Sequence, residues 1–466
     1  MRVSIIGTGY VGLVSGACLC EKGHHVVCVD TDRTKVDAIT KAIPPFHEPG
    51  LDALLKRHAG KLLFATTDLK AAVVDSDLTL IATGTPFDGK TIDLTYVKQA
   101  TKQVGEALRA KKGYHVVAVK STVVPGTTDS VVLPILEEAS GRRAGDTLGV
   151  GMNPEFLSEG SAIEDFMVPD RIVLGGIDDR SRSVQAEMYR GFEGTPVLNT
   201  SNATAEFIKY SSNALLATLI SYSNEIANLC ATVPGVDAAD VMRGMHLMRE
   251  LSHMHKDGSR SPAGINSFLF PGCGFGGSCL PKDVKALSAW GSQRERGTPL
   301  LEAVLKTNQD QPARTVELVE RGLASRGGLN GAKIALLGLA FKPGTDDVRE
   351  SPAFPIIALL TSKGASVKAF DPVADKTAGI VLKGKPGVEI VPALDAALAG
   401  IDAAVLVTRW EDFRGLPARL AKMSPPPLLV DGRRMLSKAD YARYSGIGLG
   451  PASSSPVTSH LEGSRA

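Results

Sequence analysis

Short β-branched apolar runs alternate with longer mixed stretches through the first half of the chain: "RVSIIG", "HVVCVD", "LTLIAT", "YHVVAVKST" and "IVLGG" stand apart, separated by helix-compatible segments. Alternation of this kind predicts a parallel sheet with helices on both faces. From Thr204 to Ala231 the pattern changes. "TAEFIKYSSNALLATLISYSNEIANLCA" holds neither Pro nor Gly, which predicts one helix of about 40 Å at 1.5 Å per residue. A second alternation begins at Lys333, with "KIALLGLAF", "SVKAFD", "AAVLVT" and "PLLVDG" as its strands. The predicted fold class is therefore α/β, two Rossmann-like doubly wound domains joined by a long central helix. Residues 253–275 are rich in Gly, Ser and Pro without a clear period and read as one long loop. "PASSSPVTSHLEGSRA" has too few apolar residues to pack and reads as a disordered tail.

Composition narrows the partners. Charged residues make up 22% of the 466, the net charge is +2, and Lys and Arg are spread along the chain. Neither nucleic acid nor an anionic membrane is expected as partner. "VSII" is far too short for the apolar part of a signal peptide, and no apolar run approaches the ~18 residues that span a bilayer. The six cysteines (Cys18, Cys20, Cys28, Cys230, Cys273 and Cys279) form no CxxC pair. Reduced thiols in a cytoplasmic protein are the expectation.

"GTGYVG" follows the first strand directly and opens a helix, the context in which a glycine pattern becomes a dinucleotide fingerprint. Gly7 makes the turn, Gly9 lets the pyrophosphate approach, and Gly12 permits close helix–strand packing. Eighteen residues beyond Gly12, Asp30 ends the second strand, placed to accept hydrogen bonds from an adenosine ribose and to repel a 2′-phosphate. NAD is favoured over NADP. FAD uses a similar fingerprint and is the competing cofactor.

"GFGGSCLPKD" (274–283) decides between them. Gly274, Gly276 and Gly277 clear side chains from around Cys279, and Lys282 stands nearby to favour a thiolate. An NAD enzyme with a cysteine nucleophile can oxidise an aldehyde through a thiohemiacetal. The bland alternatives are a buried inert thiol for Cys279, a solvated helix lysine for Lys209, a capping or surface amide for Asn213, and a helix N-cap for Asp283. Cys273 with His253 and His255 superficially suggests zinc, but neither H-x-H nor C-x5-C is a usual structural-zinc ligand pair, so no metal is expected.

Four more polar segments follow strands or lie on the long helix: "KSTVVPGTT" (120–128), "NPEFLSEG" (153–160), "IKYSSNA" (208–214) and "LAFKPGTDDVRESP" (339–352). With GxGYVG, GFGGSCLPKD and DGR, in this order from Met1 to about residue 440, the chain resembles the UDP-glucose/GDP-mannose dehydrogenase family. That resemblance implies NAD-dependent, four-electron oxidation of a nucleotide sugar at C6 to the uronic acid. It also implies NAD on an N-terminal domain, the nucleotide on a C-terminal domain, and the reaction between them. The expected bounds are 1–200 for the NAD domain, 201–312 for a central dimerisation and catalytic-loop region, 313–448 for the nucleotide-sugar domain and 449–466 for the tail.

Residue by residue, the resemblance implies Cys279 as nucleophile of the second oxidation, with Asp283 and Lys209 as acid–base and oxyanion groups. Glu155 guides the hydrolytic water, Thr122 holds it, and Asn213, on the helix face of Lys209, contacts the sugar. For NAD it implies Gly7, Gly9, Tyr10, Val11, Gly12, Asp30 and Lys35, then Thr83, Pro86, Ser121 and Thr122, and finally Glu159, Lys282 and Arg349. For the sugar nucleotide it implies Phe156 and Leu157 beside Glu155, Lys209 and Asn213; Phe268, Leu269, Phe270, Gly272 and Gly276 of the loop before the cysteine; and Phe341, Lys342 and Arg433. Arg260 is matched to an arginine that reaches a neighbouring subunit, although its spacing to "FLFPG" is longer than in the commoner UDP-glucose pattern. "GGSCLPKD" is unlike the histidine-bearing run of acetamido-sugar enzymes. UDP-glucose is favoured over GDP-mannose because "NPEFLSEG" and "DGRR" look more like that branch. The rival from another class is a regulator that binds NAD and nucleotide sugar without redox chemistry. Apolar residues on more than one face of the long helix, from Phe207 and Ile208 through Leu215, Leu216, Leu219, Ile220, Ile226 and Leu229, predict a homodimer.

Overall fold

A computed structural model describes residues 1–451. It divides into two compact units, one of Met1–Asn213 with Lys285–Gly297 and one of Ala214–Val284 with the chain from Thr298 onward. The expected tail mostly lies outside the described residues. Its beginning is held: Gly450 N donates to Val236 O and Gly235 N to Pro451 O, both 2.9 Å.

The first unit is built on eight strands: β1 (Arg2–Ile6), β2 (His25–Val29), β3 (Leu63–Thr66), β4 (Leu78–Ile81), β5 (His115–Val119), β6 (Leu148–Met152), β7 (Ile172–Gly176) and β8 (Val197–Thr200). They lie in the order β3-β2-β1-β4-β5-β6-β7-β8. Successive side chains feed opposite faces, as the pleat requires. Ile5, Val116 and Leu174 enter one core, and Ile6, Val117 and Val173 the other. The doubly wound expectation is met, with one departure: β6 and β7 run antiparallel. β6 carries no strand signature in the sequence, because three of the five residues of "LGVGM" are glycine or methionine. Those glycines have a packing cause. A Cβ on Gly149 would lie 2.4 Å from Tyr114 Oη, and one on Gly151 2.2 Å from Gln185 Nε2, so no side chain fits under the neighbouring helix.

In the second unit the expected long loop contains a small hairpin, β9 (Ser252–Met254) with β10 (Arg260–Pro262), followed by a tight turn over Gly264–Ser267. Its sheet comprises β11 (Lys333–Leu337), β12 (Ser366–Phe370), β13 (Val388–Ile390), β14 (Ala403–Leu406), β15 (Leu428–Asp431) and β16 (Tyr444–Gly446), all parallel in the order β13-β12-β11-β14-β15-β16. The predicted long helix spans Asn202–Cys230. No helix among the described residues is long and apolar enough to cross a membrane.

Candidate active site

The fingerprint glycines have separate jobs. Gly7 has φ +104°, open to glycine almost alone, and a Cβ there would lie 2.7 Å from Ala82 O. A Cβ on Gly12 would lie 2.0 Å from Gly7 O, so the helix Tyr10–Glu21 seats against the turn only without one. Gly9 has open space on its missing side chain's side, where a pyrophosphate can meet the helix N-terminus. A cavity of about 880 Å³ opens there, lined by Gly7, Gly9, Asp30, Lys35 and Thr83 among others. Asp30 accepts from Thr8 N (2.8 Å), Thr8 Oγ1 (2.6 Å) and Asp32 N (2.9 Å). Burial raises its pKa, and these bonds with Lys35 at 4.0 Å overcome that and hold it low. A fixed carboxylate at the end of β2 fits a ribose diol and opposes a 2′-phosphate. The residues therefore fit NAD.

Other residues implied for NAD serve the loops around the cavity. Ser121 donates to Thr83 O (2.6 Å), Thr85 donates to Thr122 O (2.8 Å), and Pro86 O accepts from Asp93 N (2.8 Å). Tyr10 is not among the residues that line the cavity. Its hydroxyl donates to the buried Glu48 and accepts from Gly160 N, so it anchors the end of "NPEFLSEG". Val11 is half-buried on the same helix, and Glu159 is buried.

The centre of the first unit's polar site is an ion pair. Lys209 Nζ lies 2.9 Å from Glu155 Oε1, with 3% and 5% of the two side chains exposed. Burial pushes Glu155 up, but Lys209, the Leu157 N–H on Oε2 (2.6 Å) and Lys120 together bring its pKa below the usual value. Asn213, one turn after Lys209, is buried too, so the solvated and surface alternatives fail for both. Phe156 lies between two cations, 3.8 Å from the Arg171 guanidinium and 5.6 Å from Lys209 Nζ. Glu206, three residues before Lys209, lies just outside the "IKYSSNA" motif. It accepts from Gly126 N (2.6 Å), Thr128 N (2.8 Å) and Thr128 Oγ1 (2.6 Å), tying the loop after Thr122 to the long helix, and burial lifts its pKa to about 7.

In the second unit Cys279 immediately precedes the helix Leu280–Ser292 and its carbonyl accepts from Asp283 N (2.9 Å). Cys279 therefore occupies the N-cap position, and Asp283 sits in the first turn rather than capping it. A helix N-terminus favours a thiolate. Lys282 donates to Asp283 Oδ1 at 2.6 Å. Cys279 is half-exposed while the other five thiols are buried. Burial raises the Cys273 pKa, and pushes those of Cys18 and Cys20 to about 12, keeping them as thiols.

The glycines before Cys279 are explained mainly by protein neighbours. A Cβ on Gly276 would lie 2.3 Å from Glu350 O, and one on Gly277 2.7 Å from the Phe341 ring. The loop is thereby seated on "LAFKPGTDDVRES", with Gly277 N donating to Arg349 O (2.9 Å). Arg349 is ion-paired with Asp347, and Lys342 stands 5.9 Å from the Phe341 ring. Arg433 donates to Val407 O (2.5 Å) and Gly274 O (2.8 Å), bracing the loop, and Gly272 N donates to Asn224 Oδ1 (2.8 Å). Leu269 is buried, Phe268 and Phe270 half-buried, and Arg260 is exposed on β10.

Residues 1–193 match the NAD binding domain of the UDP-glucose/GDP-mannose dehydrogenase family, 203–310 its central domain and 335–438 its UDP binding domain. The chain belongs to this family. It is 41% identical over 452 residues to UDP-glucose 6-dehydrogenase AglM of Haloferax volcanii, covering 96% of this chain and 100% of that protein. It is 40% identical to a GDP-mannose 6-dehydrogenase of Pseudomonas aeruginosa over 374 residues, 80% of this chain and 81% of that one. The solved UDP-glucose dehydrogenase of Pyrobaculum islandicum superposes with a TM-score of 0.85 at 36% identity, covering 96% and 97% of the two chains. Family membership makes the chain an NAD-dependent dehydrogenase, with NAD rather than FAD as its cofactor.

Asp30→Ser is expected to weaken NAD binding about tenfold or more and to narrow the preference over NADP, because both the ribose acceptor and the repulsion of the 2′-phosphate are lost. Cofactor titrations followed by protein fluorescence check this. Unchanged affinities for both cofactors would contradict the role of Asp30.

Proposed function

We propose that the chain oxidises UDP-glucose at C6 to UDP-glucuronate, using Cys279 as a covalent nucleophile. The observation that carries the proposal is the half-exposed thiol at a helix N-terminus, in a protein whose other five cysteines are buried. The preference for UDP-glucose is supported by the curated UDP-glucose relative aligning over 96% of the chain against 80% for the GDP-mannose relative, and by a TM-score of 0.85 for the solved UDP-glucose dehydrogenase against 0.53 for a solved GDP-mannose dehydrogenase of equal 36% identity and 96% coverage.

NAD, when bound, takes up the hydride of each of two oxidations. The first removes a proton from the C6 hydroxyl, for which Asp283 is the available base, and the Lys209 ammonium, paired with Glu155, steadies the oxygen as negative charge develops. Cys279 Sγ then bonds to the aldehyde carbon, giving a thiohemiacetal whose oxidation leaves a thioester. Glu155, held ionised, accepts a proton from the attacking water, with Thr122 as a second hydroxyl for that water. Asn213 contacts the sugar. On the nucleotide side we assign Phe268, Leu269 and Phe270 to the base and ribose, and Lys342 to the phosphates.

The assembly we propose is a homodimer through the long helix. Leu215, Leu219, Tyr222, Ile226 and Leu229 follow one another at alternating steps of four and three, the spacing of a helix–helix seam. Leu215 is 51% exposed, Tyr222 44% and Leu229 61%. Such a stripe fits a second copy of itself about a two-fold axis.

Cys279→Ser keeps a weaker nucleophile, so turnover should fall by at least a thousandfold while intact-protein mass spectrometry after incubation with UDP-glucose and NAD shows an adduct of one nucleotide sugar. Retained turnover in Cys279→Ala, or faster wild-type turnover of GDP-mannose than of UDP-glucose, would overturn the reading. Sedimentation equilibrium at micromolar concentration should give a dimer that Leu215→Glu with Leu229→Glu dissociates; a monomeric wild type contradicts the seam.

A further inference from the structure

Beside Glu155 lies a cavity of about 220 Å³, walled in part by "NPEFLS" (153–158) itself. Its wall includes the lysine that opens "KSTVVPGTT". Lys120 follows β5 directly, is 2% exposed, and lines this cavity together with Glu155. Its ammonium donates to Asn153 Oδ1 (2.9 Å) and Tyr189 Oη (3.4 Å), while Tyr189 Oη donates to the same Asn153 oxygen (2.6 Å). Asn153 Nδ2 donates to Val173 O on β7 (3.0 Å), so this oxygen is fixed at the end of β6. Both acceptors of the ammonium are neutral.

Burying a cation against neutral dipoles is costly, and the cost is offset when an anion lies within reach in the same low-dielectric region. The other charges around the cavity are engaged. Asp165 accepts from Ser158 N (2.8 Å), and Arg171 is paired with Asp170, stacked on Phe156 and bonded to Ser212 Oγ (3.1 Å). Glu155 is thus paired with Lys209 from the long helix and shares a cavity wall with the buried Lys120 from the end of β5. Asp165, Asp170, Arg171 and Tyr189 complete the titratable surroundings.

We propose that Lys120 is a positioning residue for hydrolysis of the thioester: it holds Glu155 as a carboxylate, independently of Lys209, so that Glu155 can take a proton while Lys209 serves the oxyanion. The inference rests on the function proposed above. In the step it serves, a water oxygen bonds to the thioester carbon, the carbon–sulfur bond breaks, and sulfur leaves with the electron pair of that bond. One water proton passes to Glu155 and the carboxylic acid is released. No electrons enter or leave. Lys120 touches neither substrate nor cofactor in this account and acts only through the Glu155 charge.

The test uses Lys120→Gln, which keeps a donor for Asn153 and removes the charge, and Lys120→Arg, which keeps the charge. In Lys120→Gln the rapid formation of NADH at two per active site should persist. Steady-state turnover should fall about tenfold, the thioester should accumulate on Cys279 by mass spectrometry, and the acid limb of kcat should move up by about one pH unit. Lys120→Arg should leave the acid limb in place. An unmoved limb in Lys120→Gln, or a limb moved in Lys120→Arg, overturns the role; the arginine variant decides if the glutamine variant does not fold. Infrared titration of the Glu155 carboxylate, assigned by Glu155→Gln, gives a readout apart from turnover: its pKa should rise in Lys120→Gln, and an unchanged value overturns the proposal. A wild type that forms no thioester would instead sink the proposed function and leave the infrared result standing.

Discussion

Glu155 and Lys209 meet 2.9 Å apart with almost none of either side chain exposed, and this buried pair constrains much of the first unit. Each ion alone would be badly placed in such surroundings, and removing one partner of a buried pair typically costs about 3–5 kcal/mol because the other charge is left stranded. The neighbouring elements are arranged to keep both. The Leu157 N–H caps the carboxylate, and Asn153 and Tyr189 hold a second cation near it. Glu206 fixes the same long helix one turn earlier to the loop that follows β5. A pair of this kind is poor evidence for stability and better evidence for a site whose charges are needed.

The second unit meets a different constraint, close approach of backbone. Gly276 and Gly277 lie where any side chain would strike Glu350 O or Phe341, and Arg433 ties the same loop to Gly274 and Val407. The consequence is a thiol carried at a helix N-terminus by a loop with little freedom. Cys273, six residues earlier, shares the loop but is fully buried with its pKa raised. Position and burial distinguish Cys279, the proposed nucleophile, from Cys273, two residues of one type on one loop.

The alternation of strands and helices was legible because parallel strands buried on both faces read as β-branched runs. β6 was not, because close helix packing had replaced two of its side chains with hydrogen. The antiparallel turn of β7 leaves no mark in hydrophobic periodicity at all. Among site residues, Cys279, Lys209, Asp283 and Glu155 could be picked out by their motifs. Glu206 could not, and Lys120, though it lies inside a motif, drew no role from it, since each gains meaning only from burial. Even so, Lys120 is the first residue of "KST", and a lysine directly after a fully apolar strand was a signal available in the sequence. Tyr10 shows the opposite case: a fingerprint residue whose hydroxyl is spent on Glu48 and Gly160, anchoring a loop.

The central claim is that one chain carries a sugar from alcohol to acid without releasing the aldehyde, because a positioned thiol captures it and a charged carboxylate frees it. Counting NADH formed against UDP-glucose consumed in a reaction run to completion tests this most directly. The account predicts two NADH per sugar with UDP-glucuronate as sole product; one NADH per sugar, with free aldehyde trapped by a carbonyl reagent, would contradict it.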